Sequence, residues 1–135
     1  MNNVRFSTAL HILTLLELKK GEWLSSEFIA GSVNVNSAII RKEIGNLRKH
    51  GFIDSKEGKG GGYIIGKPGA HIRLSDIYKA VCDGPLLGRS NDPNPDCPVG
   101  KQINSHLEDL FKIAEDALLR QIGKVTVKEF TEKFK

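Results

Sequence analysis

The chain is poor in cysteine and has no long apolar run. It holds two cysteines, Cys82 and Cys97, in 135 residues, too few for a disulfide-stapled secreted scaffold. No apolar stretch approaches the roughly 18 residues that a membrane-spanning helix needs, and the N-terminus lacks the pattern of a signal peptide. These absences argue against the secreted and membrane classes, so we expect a cytoplasmic protein with no membrane partner.

Groups that would indicate an enzyme or a metal site are also lacking. No histidine has a ligand-like spacing to a cysteine or carboxylate, whether His11, His50, His71 or His106. No serine or cysteine has a nearby base that the sequence reveals. Gly60-Gly61-Gly62 is followed neither by Gly-Lys-Ser/Thr nor by a helix, which argues against a nucleotide-phosphate loop. The sequence therefore predicts no enzyme, no metal and no cofactor.

What the chain does have is concentrated positive charge. Its formal net charge is +4. Between Arg41 and Arg73, eight Lys/Arg stand against three Asp/Glu, a local excess of +5. A basic band confined to one segment is typical of a surface for polyanions. A solvated basic face would have the same composition, so charge alone does not decide between them.

The first third of the chain predicts two helices and the start of a third. Apolar spacing predicts a well-buried helix over residues 3–19 that ends at Gly21. A short extended piece follows at Trp23-Leu24. Ser25 is the expected N-cap of a short second helix, which Gly31 and residues 33–36 interrupt.

The third predicted helix carries the basic band. Asn36 or Ser37 is its expected N-cap, and Gly51 follows its C-terminus. Its apolar positions are Ile39, Ile40, Ile44 and Leu47. Its opposite face presents Arg41, Lys42, Asn46 and Arg48. Two helices joined by a turn of about four residues, the second basic on its outer face, form a helix-turn-helix pattern.

A hairpin is predicted directly after this basic helix. Phe52 to Ser55 and Tyr63 to Ile65 have strand patterns, and residues 56–62 form a turn rich in glycine and lysine. A hairpin in this position is a wing. Its glycines would let the backbone approach a phosphate or enter a narrow groove, and Lys56 and Lys59 would supply the counter-charge.

The second half of the chain predicts a loop between two helices. Ser75 is the expected cap of a helix that ends near Gly84, and we expect Cys82 in the core. Residues 83–100 hold four of the five prolines and form a long loop, a type that is functional or disordered. From Lys101 a long amphipathic helix runs to about Gly123, and a short helix follows Thr126.

The long helix has more apolar surface than so small a chain can cover. We therefore predict that it pairs with the same helix of a second copy. Packing onto the chain's own first helix is the alternative, and both can occur together. The predicted dimerisation residues are Ile103, Leu107, Leu110, Phe111, Ala114, Leu118 and Ile122.

This order of parts resembles the Rrf family of bacterial winged-helix repressors, which includes IscR and NsrR. The resemblance is carried by Arg5-Phe6, Ser37 to Gly51, Gly58 to Tyr63 and Ile72 to Ile77, and the glycine-rich wing followed by tyrosine is its most specific part. Asp96 to Gly100 resembles the YwnA type of that family. The resemblance implies a winged helix-turn-helix over residues 1–82, a sensor-type loop over 83–100 and a dimerisation segment over 101–135. It also implies that Arg5 and Tyr63 belong to the DNA-binding residues.

Two features depart from the family pattern. Many members have arginine at the position of Glu57, so a minor-groove contact is either absent here or made by Lys56 or Lys59. Cluster-sensing members have three cysteines in the loop. Here Cys97 stands alone there, with Cys82 fifteen positions earlier, and adding His106 makes a poor ligand set for iron–sulfur chemistry.

These observations predict a mainly α protein with a small hairpin that acts as a homodimeric repressor on a near-palindromic operator in double-stranded DNA. The expected phosphate contacts are Lys42, Arg48, Lys49, Lys56 and Lys59. Asn36, Ser37 and Arg41 lie where side chains contact base edges. Arg41 is the best candidate because arginine can bond guanine O6 and N7 together. A phosphate contact or a salt bridge is its alternative role.

Two questions stay open in the sequence. Oxidation of Cys97 could release DNA, because Lys101 and the following helix N-terminus would lower its pKa. A lone cysteine is also compatible with an ordinary packed residue. A winged-helix protein–protein adaptor without a specific DNA target is the alternative function.

Overall fold

The computed structural model describes residues 4–135. Residue 3, the predicted start of the first helix, lies outside them. The helices are α1 (Arg5–Leu18), α2 (Ser26–Val33), α3 (Ser37–Lys49), α4 (Leu74–Val81), α5 (Pro98–Ile122) and α6 (Val127–Thr131). The strands are β1 (Ile53–Lys56) and β2 (Gly62–Ile65), and 3₁₀ turns cover Gly69–His71 and Glu132–Phe134. The predicted fold, mainly helical with one hairpin and a long C-terminal helix, is confirmed.

The helix-turn-helix is held at its ends by local side chains. Ser25 Oγ accepts a hydrogen bond from the Phe28 N–H at 3.1 Å, and Asn36 Oδ1 accepts one from Ala38 N–H at 2.7 Å. Both predicted caps are therefore confirmed. The interruption predicted at Gly31 is wrong, since α2 continues to Val33 and ends where Asn34 takes a left-handed conformation with φ 64°.

The hairpin is antiparallel and pairs Ile53 with Ile65 and Lys56 with Gly62. It begins one residue later than predicted. Leu24 adds a bridge at the outer edge of β2, with N–O distances of 2.9 and 2.8 Å to Tyr63. A Cβ on Gly62 would lie 2.5 Å from the Leu24 carbonyl oxygen, and one on Gly61 would collide with that of Lys56. The close approaches of these two glycines are thus to the chain's own backbone.

α4 begins differently from the prediction. Ser75 is not its cap, because the helix starts at Leu74 and Arg73 precedes it. The Arg73 N–H donates to Asp76 Oδ2 at 2.9 Å. Its guanidinium donates to the Gly123 carbonyl at 2.7 Å, which ties α4 to the end of α5. Arg73 therefore contributes to the fold rather than to an outward basic band.

The core joins both ends of the chain. Buried side chains of α1, including Ile12 and Leu13, pack with others from α2, α3, α4 and the hairpin. Val127 of α6 is fully buried in the same cluster, and its N–H donates to the Ile72 carbonyl at 2.8 Å. α6, rather than α5, is the C-terminal element that packs against α1.

α5 starts at Pro98, three residues before the predicted start, and ends at Ile122 with Gly123 as its C-cap, which confirms the end predicted near Gly123. Proline is favoured at the first helical position, since its missing N–H has no acceptor there. The helix packs against α4, and none of its 25 residues, all of which the structure describes, is buried. Among residues 4–135, no helix has both the length and the apolar character needed to cross a membrane.

Candidate nucleic-acid interface

α3 buries one face and presents cations on the other. Ile40, Ile44 and Leu47 are at most 2% exposed and fill the space against α1 and α2. Arg41, Lys42 and Lys49 point into solvent, as predicted. Ile39 was predicted to belong to the apolar face, and this is wrong, because its side chain is 56% exposed.

The outward cations line a shallow groove. It has a volume of about 560 Å³ and is lined by Arg5, Ile39, Arg41, Lys42, Glu43, Gly45, Asn46 and Lys49. Four of these residues are basic and one, Ile39, is apolar. The only acid among them, Glu43, lies beneath the other side chains. A polyanion is the partner that such a surface attracts.

A buried carboxylate lies under α3 and has no local signal in the sequence. The Glu43 side chain is 6% exposed and accepts from Arg5 Nε at 3.0 Å and from a second Arg5 nitrogen at 3.3 Å. Asn46, predicted to face outward, instead donates to Glu43 at 3.2 Å and to the Ala80 carbonyl at 3.0 Å. This network connects α3 with α1 and with the end of α4.

Arg5 therefore has a role besides the one that the resemblance implies. Its hydrogen bond to Glu43 raises the pKa of the guanidinium. A second carboxylate, Asp83, lies 3.5 Å from it. Arg5 holds α1 against α3, and this pairing over 38 residues has no local sequence signal.

The predicted base-contacting residues cluster at the start of α3. Asn36 uses its Oδ1 as the cap, and Ser37 Oγ accepts from the Arg41 guanidinium at 3.3 Å. Arg41 is also 4.0 Å from Glu27, so the alternative salt bridge exists at long distance. Both side chains are about half exposed or more, and such pairs contribute little. The guanidinium therefore remains available to an external acceptor.

The wing stands beside this cluster. Arg48 donates to Ser55 Oγ at 2.7 Å, which joins α3 to β1. The Lys56 ammonium lies 5.6 Å from the centre of the Trp23 ring, and Lys59 and Glu57 are exposed at the tip. A cleft of about 360 Å³ separates the wing from the start of α2 and is lined in part by Ser25, Arg48 and Lys56.

Tyr63, which the resemblance implies to be a DNA-binding residue, also has a role in the fold. Its ring is half-buried and packs against the core, and its backbone pairs with Leu24. In the structure Tyr63 supports the wing from below.

Cys97 is the N-cap of α5 and is exposed. The backbone N–H groups of Gly100 and Val99, in the first turn of α5, lower the pKa of the thiol. The predicted effect of the helix N-terminus is thus present, whereas Lys101 is not among the causes. Cys82 is half-buried against the core, and burial raises the pKa of its thiol.

α5 has two apolar faces. Ile122 packs against the chain's own core, and Leu107, Phe111, Ala114 and Leu118 are partly covered. The other face points into solvent: Ile103 is 38% exposed, Leu110 53%, Ile113 67% and Val99 66%. Val99 and Ile113 were absent from the predicted set, which followed a single helical stripe.

The helix pair, the basic outer face of its second helix and the adjoining hairpin define a winged helix-turn-helix. Residues 2–133 match the model of the Rrf2 family, described as an iron-dependent transcriptional regulator. The chain belongs to this family. It is a transcriptional regulator of a DNA-binding, helix-turn-helix type and not an enzyme.

Individual relatives agree with this assignment. The chain is 35% identical over 130 residues to YwnA of Bacillus subtilis, described as a helix-turn-helix-type transcriptional regulator, with 96% of each chain covered. A transcriptional regulator from Lactobacillus plantarum shares the fold, with a TM-score of 0.83, 24% identity and coverage of 97% of this chain and 89% of that one. The oxidised form of CymR from Staphylococcus aureus matches with a TM-score of 0.68, 25% identity and coverage of 98% and 97%.

Iron, which the family description names, does not fit the donors of this chain. Within residues 4–135, no group of three or more His, Cys, Asp or Glu side chains is arranged to hold a metal ion. Cys82 and Cys97 lie at opposite ends of the loop between α4 and α5.

Proposed function

We propose that the protein is a cytoplasmic, homodimeric repressor that binds a near-palindromic operator through α3 and the wing. The observation that carries this proposal is the division of α3 into a filled inner face and an outward cationic face. Since the inner face is already satisfied by the chain's own core, the outer face is available to DNA. Occupation of a promoter by the bound dimer would repress transcription.

Phosphate and base contacts fall on different residues. Lys42 and Lys49 on α3, Arg48 at the base of the wing, and Lys56 and Lys59 in the wing neutralise phosphates. Their contacts give an affinity that falls steeply with salt. Arg41 contacts a guanine edge near the N-terminus of α3, worth about 1–3 kcal/mol of discrimination. Ser37 orients Arg41 through the bond at 3.3 Å.

Dimerisation uses the exposed apolar face of α5. A helix with 25 residues and none buried, all within the described chain, leaves apolar surface that a second copy would cover. A two-fold axis between two α5 helices places the two α3 helices about one helical turn of DNA apart, or a multiple of it. The operator is then an inverted repeat.

Thiol oxidation at Cys97 modulates this activity. The thiol is exposed, and the backbone N–H groups at the start of α5 favour its reactive thiolate. A peroxide would convert it to a sulfenic acid at the N-cap of the dimerisation helix. CymR from Staphylococcus aureus, which shares the fold, has been solved in an oxidised form, and this is consistent with the proposal.

Selection of bound sequences from a random DNA pool, under reducing conditions, tests the proposal. The expected result is an inverted repeat bound with steep salt dependence. Enrichment of no sequence, together with weak salt-labile binding, would favour the protein–protein adaptor instead. For the thiol claim, binding to the selected operator is repeated after peroxide treatment with the wild type and with Cys97→Ser. Loss of binding in both proteins, or in neither, would contradict a switch at Cys97.

A further inference from the structure

Ile39 is an apolar side chain in an otherwise cationic surface. It is the third residue of α3 and is 56% exposed. It lines the same groove as Arg41, Lys42 and Lys49. A partner that fills this groove must therefore offer negative charge and an apolar group side by side.

The core of the protein does not depend on Ile39. The inner face of α3 is filled by Ile40, Ile44 and Leu47, which are at most 2% exposed. The Ile39 N–H donates to the Asn36 carbonyl at 3.1 Å, so its backbone is fixed within the first turn. A β-branched side chain in a helix also has one strongly preferred χ1 rotamer. Ile39 is thus held rigidly in a position where it is open to a ligand.

In the major groove of DNA, the C5 methyl of thymine is the apolar group that a side chain can recognise beside the phosphates. We propose that Ile39 determines specificity by packing against a thymine methyl in each operator half-site. This inference rests on the proposed DNA-binding function and names a base that the function alone does not require.

The geometry of α3 separates this contact from that of Arg41. Successive residues in a helix are rotated by about 100°, so residues two apart point to opposite flanks. Both side chains line the groove, but the Arg41 guanidinium lies on the flank toward α2, 4.0 Å from Glu27, and Ile39 lies on the opposite flank. The thymine therefore occupies a base pair different from the guanine contacted by Arg41.

The test replaces thymine by uracil, which lacks only the methyl, at each T of the selected operator in turn and symmetrically in both half-sites. Affinity is measured by fluorescence anisotropy at one salt concentration. At one position we expect wild-type affinity to fall by about 3- to 10-fold per half-site, the loss that burial of one methyl group implies. Ile39→Ala should bind the thymine and uracil operators equally.

Phe28→Ala is the matched control, because Phe28 is also a large exposed apolar residue, at 48%, but lies on α2. It should keep the wild-type discrimination between thymine and uracil. If the operator is bound and no thymine-to-uracil change weakens the wild type, the inference about Ile39 is wrong while the proposed function stands. The same holds if Ile39→Ala retains the discrimination. If the random pool yields no operator, the proposed function and the inference about Ile39 are both wrong.

Discussion

α3 and α5 are both amphipathic helices, but only α3 has residues that are buried within the chain. α3 buries four of its 13 residues, Ile40, Glu43, Ile44 and Leu47. α5 buries none of its 25, all of which the structure describes. The exposed side chains of the two helices also differ in kind. α3 exposes cationic side chains, whereas α5 exposes aliphatic ones. Each helix therefore offers a surface that suits a different kind of external partner.

The charges on α5 strengthen this contrast. Between residues 108 and 116 it carries the acids Glu108, Asp109, Glu115 and Asp116 against one base, Lys112. Negative charge disfavours the approach of DNA. α3 and the wing are thus suited to a polyanion, and the middle of α5 is suited to another protein surface, for which a second α5 is the proposed choice.

The largest effect is expected from breaking the α5 surface. The double variant Leu110→Asp/Ile113→Asp places charge on side chains that are 53% and 67% exposed, so the monomer should keep its fold. Sedimentation equilibrium should show a monomer instead of a dimer. Operator affinity should fall by about 100-fold or more, because the avidity of two linked half-sites is lost.

Lys112→Asp is the control for that variant, since it adds an acid to the same turn of α5 away from the two aliphatic positions. It should remain dimeric. A double variant that still sediments as a dimer would show that the exposed face of α5 is not the interface.

The next largest effect is a loss of stability when the buried network under α3 is broken, compared with the loss of an exposed acid near α3. Glu43→Ala removes the acceptor of Arg5 and of Asn46. We expect the free energy of unfolding to fall by about 1–3 kcal/mol, because polar groups are left without their partner under α3. Urea denaturation measures the change. Glu27→Ala removes an exposed acid 4.0 Å from Arg41, and its effect should be within about 0.5 kcal/mol. Equal losses in the two variants would contradict the account of Glu43.

A smaller effect is expected at Gly45, which lies on the outer face of α3 between Lys42 and Lys49. A substitution there should change stability and operator affinity in opposite directions. A Cβ there would meet no described atom within 4 Å. Gly45→Ala should therefore stabilise the fold by about 0.5–1 kcal/mol. Operator affinity should nevertheless fall, because the methyl group occupies space needed by the DNA.

Gly31→Ala serves as the matched control, since Gly31 lies in α2 and its Cβ would also find open space among the described residues. It should raise stability by a similar amount and leave operator affinity unchanged. Thermal unfolding and anisotropy together report both quantities. Undiminished affinity in Gly45→Ala would place the DNA farther from α3 than proposed.

The smallest expected effect is a difference in alkylation rate between the thiols of Cys97 and Cys82. The pKa of Cys97 is lowered by backbone N–H groups, whereas burial raises that of Cys82. Because thiolate forms above the pKa, Cys97 becomes reactive at a lower pH than an ordinary thiol, and its reactivity is lost as pH falls through its pKa. At neutral pH, iodoacetamide should label Cys97 at least about tenfold faster than Cys82. Mass spectrometry of Cys97→Ser gives the Cys82 rate alone, and equal rates would refute the difference.

The helix-turn-helix and wing could be predicted because their signals are local. Ser25 and Asn36 cap helices through neighbours two or three residues away. The sequence does not define which residues of α3 face the core as sharply. Its pattern allows both Ile39 and Ile40 on the apolar face, and only the packing against α1 and α2 shows that Ile40 is buried and Ile39 exposed. The proline-rich composition of residues 83–100 places Pro98 in the loop, whereas the structure has it as the first residue of α5, a position that favours proline.

Long-range polar pairs carry no comparable signal. Arg5 and Glu43 are 38 residues apart, and Arg73 and Gly123 are 50 apart. A basic residue in such a pair looks the same in sequence as one that faces DNA. The local charge excess therefore overstated the number of cations available to a polyanion.

The central claim is that two copies of the α3 surface bind one operator in a fixed spacing set by α5. The most direct measurement is the mass and affinity of the complex on the selected operator and on the same operator with five base pairs inserted between its half-sites. We expect two copies on the original operator. The inserted half-turn should lower the affinity by about 100-fold, since it places the half-sites on opposite faces of the duplex. Unchanged affinity after the insertion, or saturation by one copy, would contradict the account.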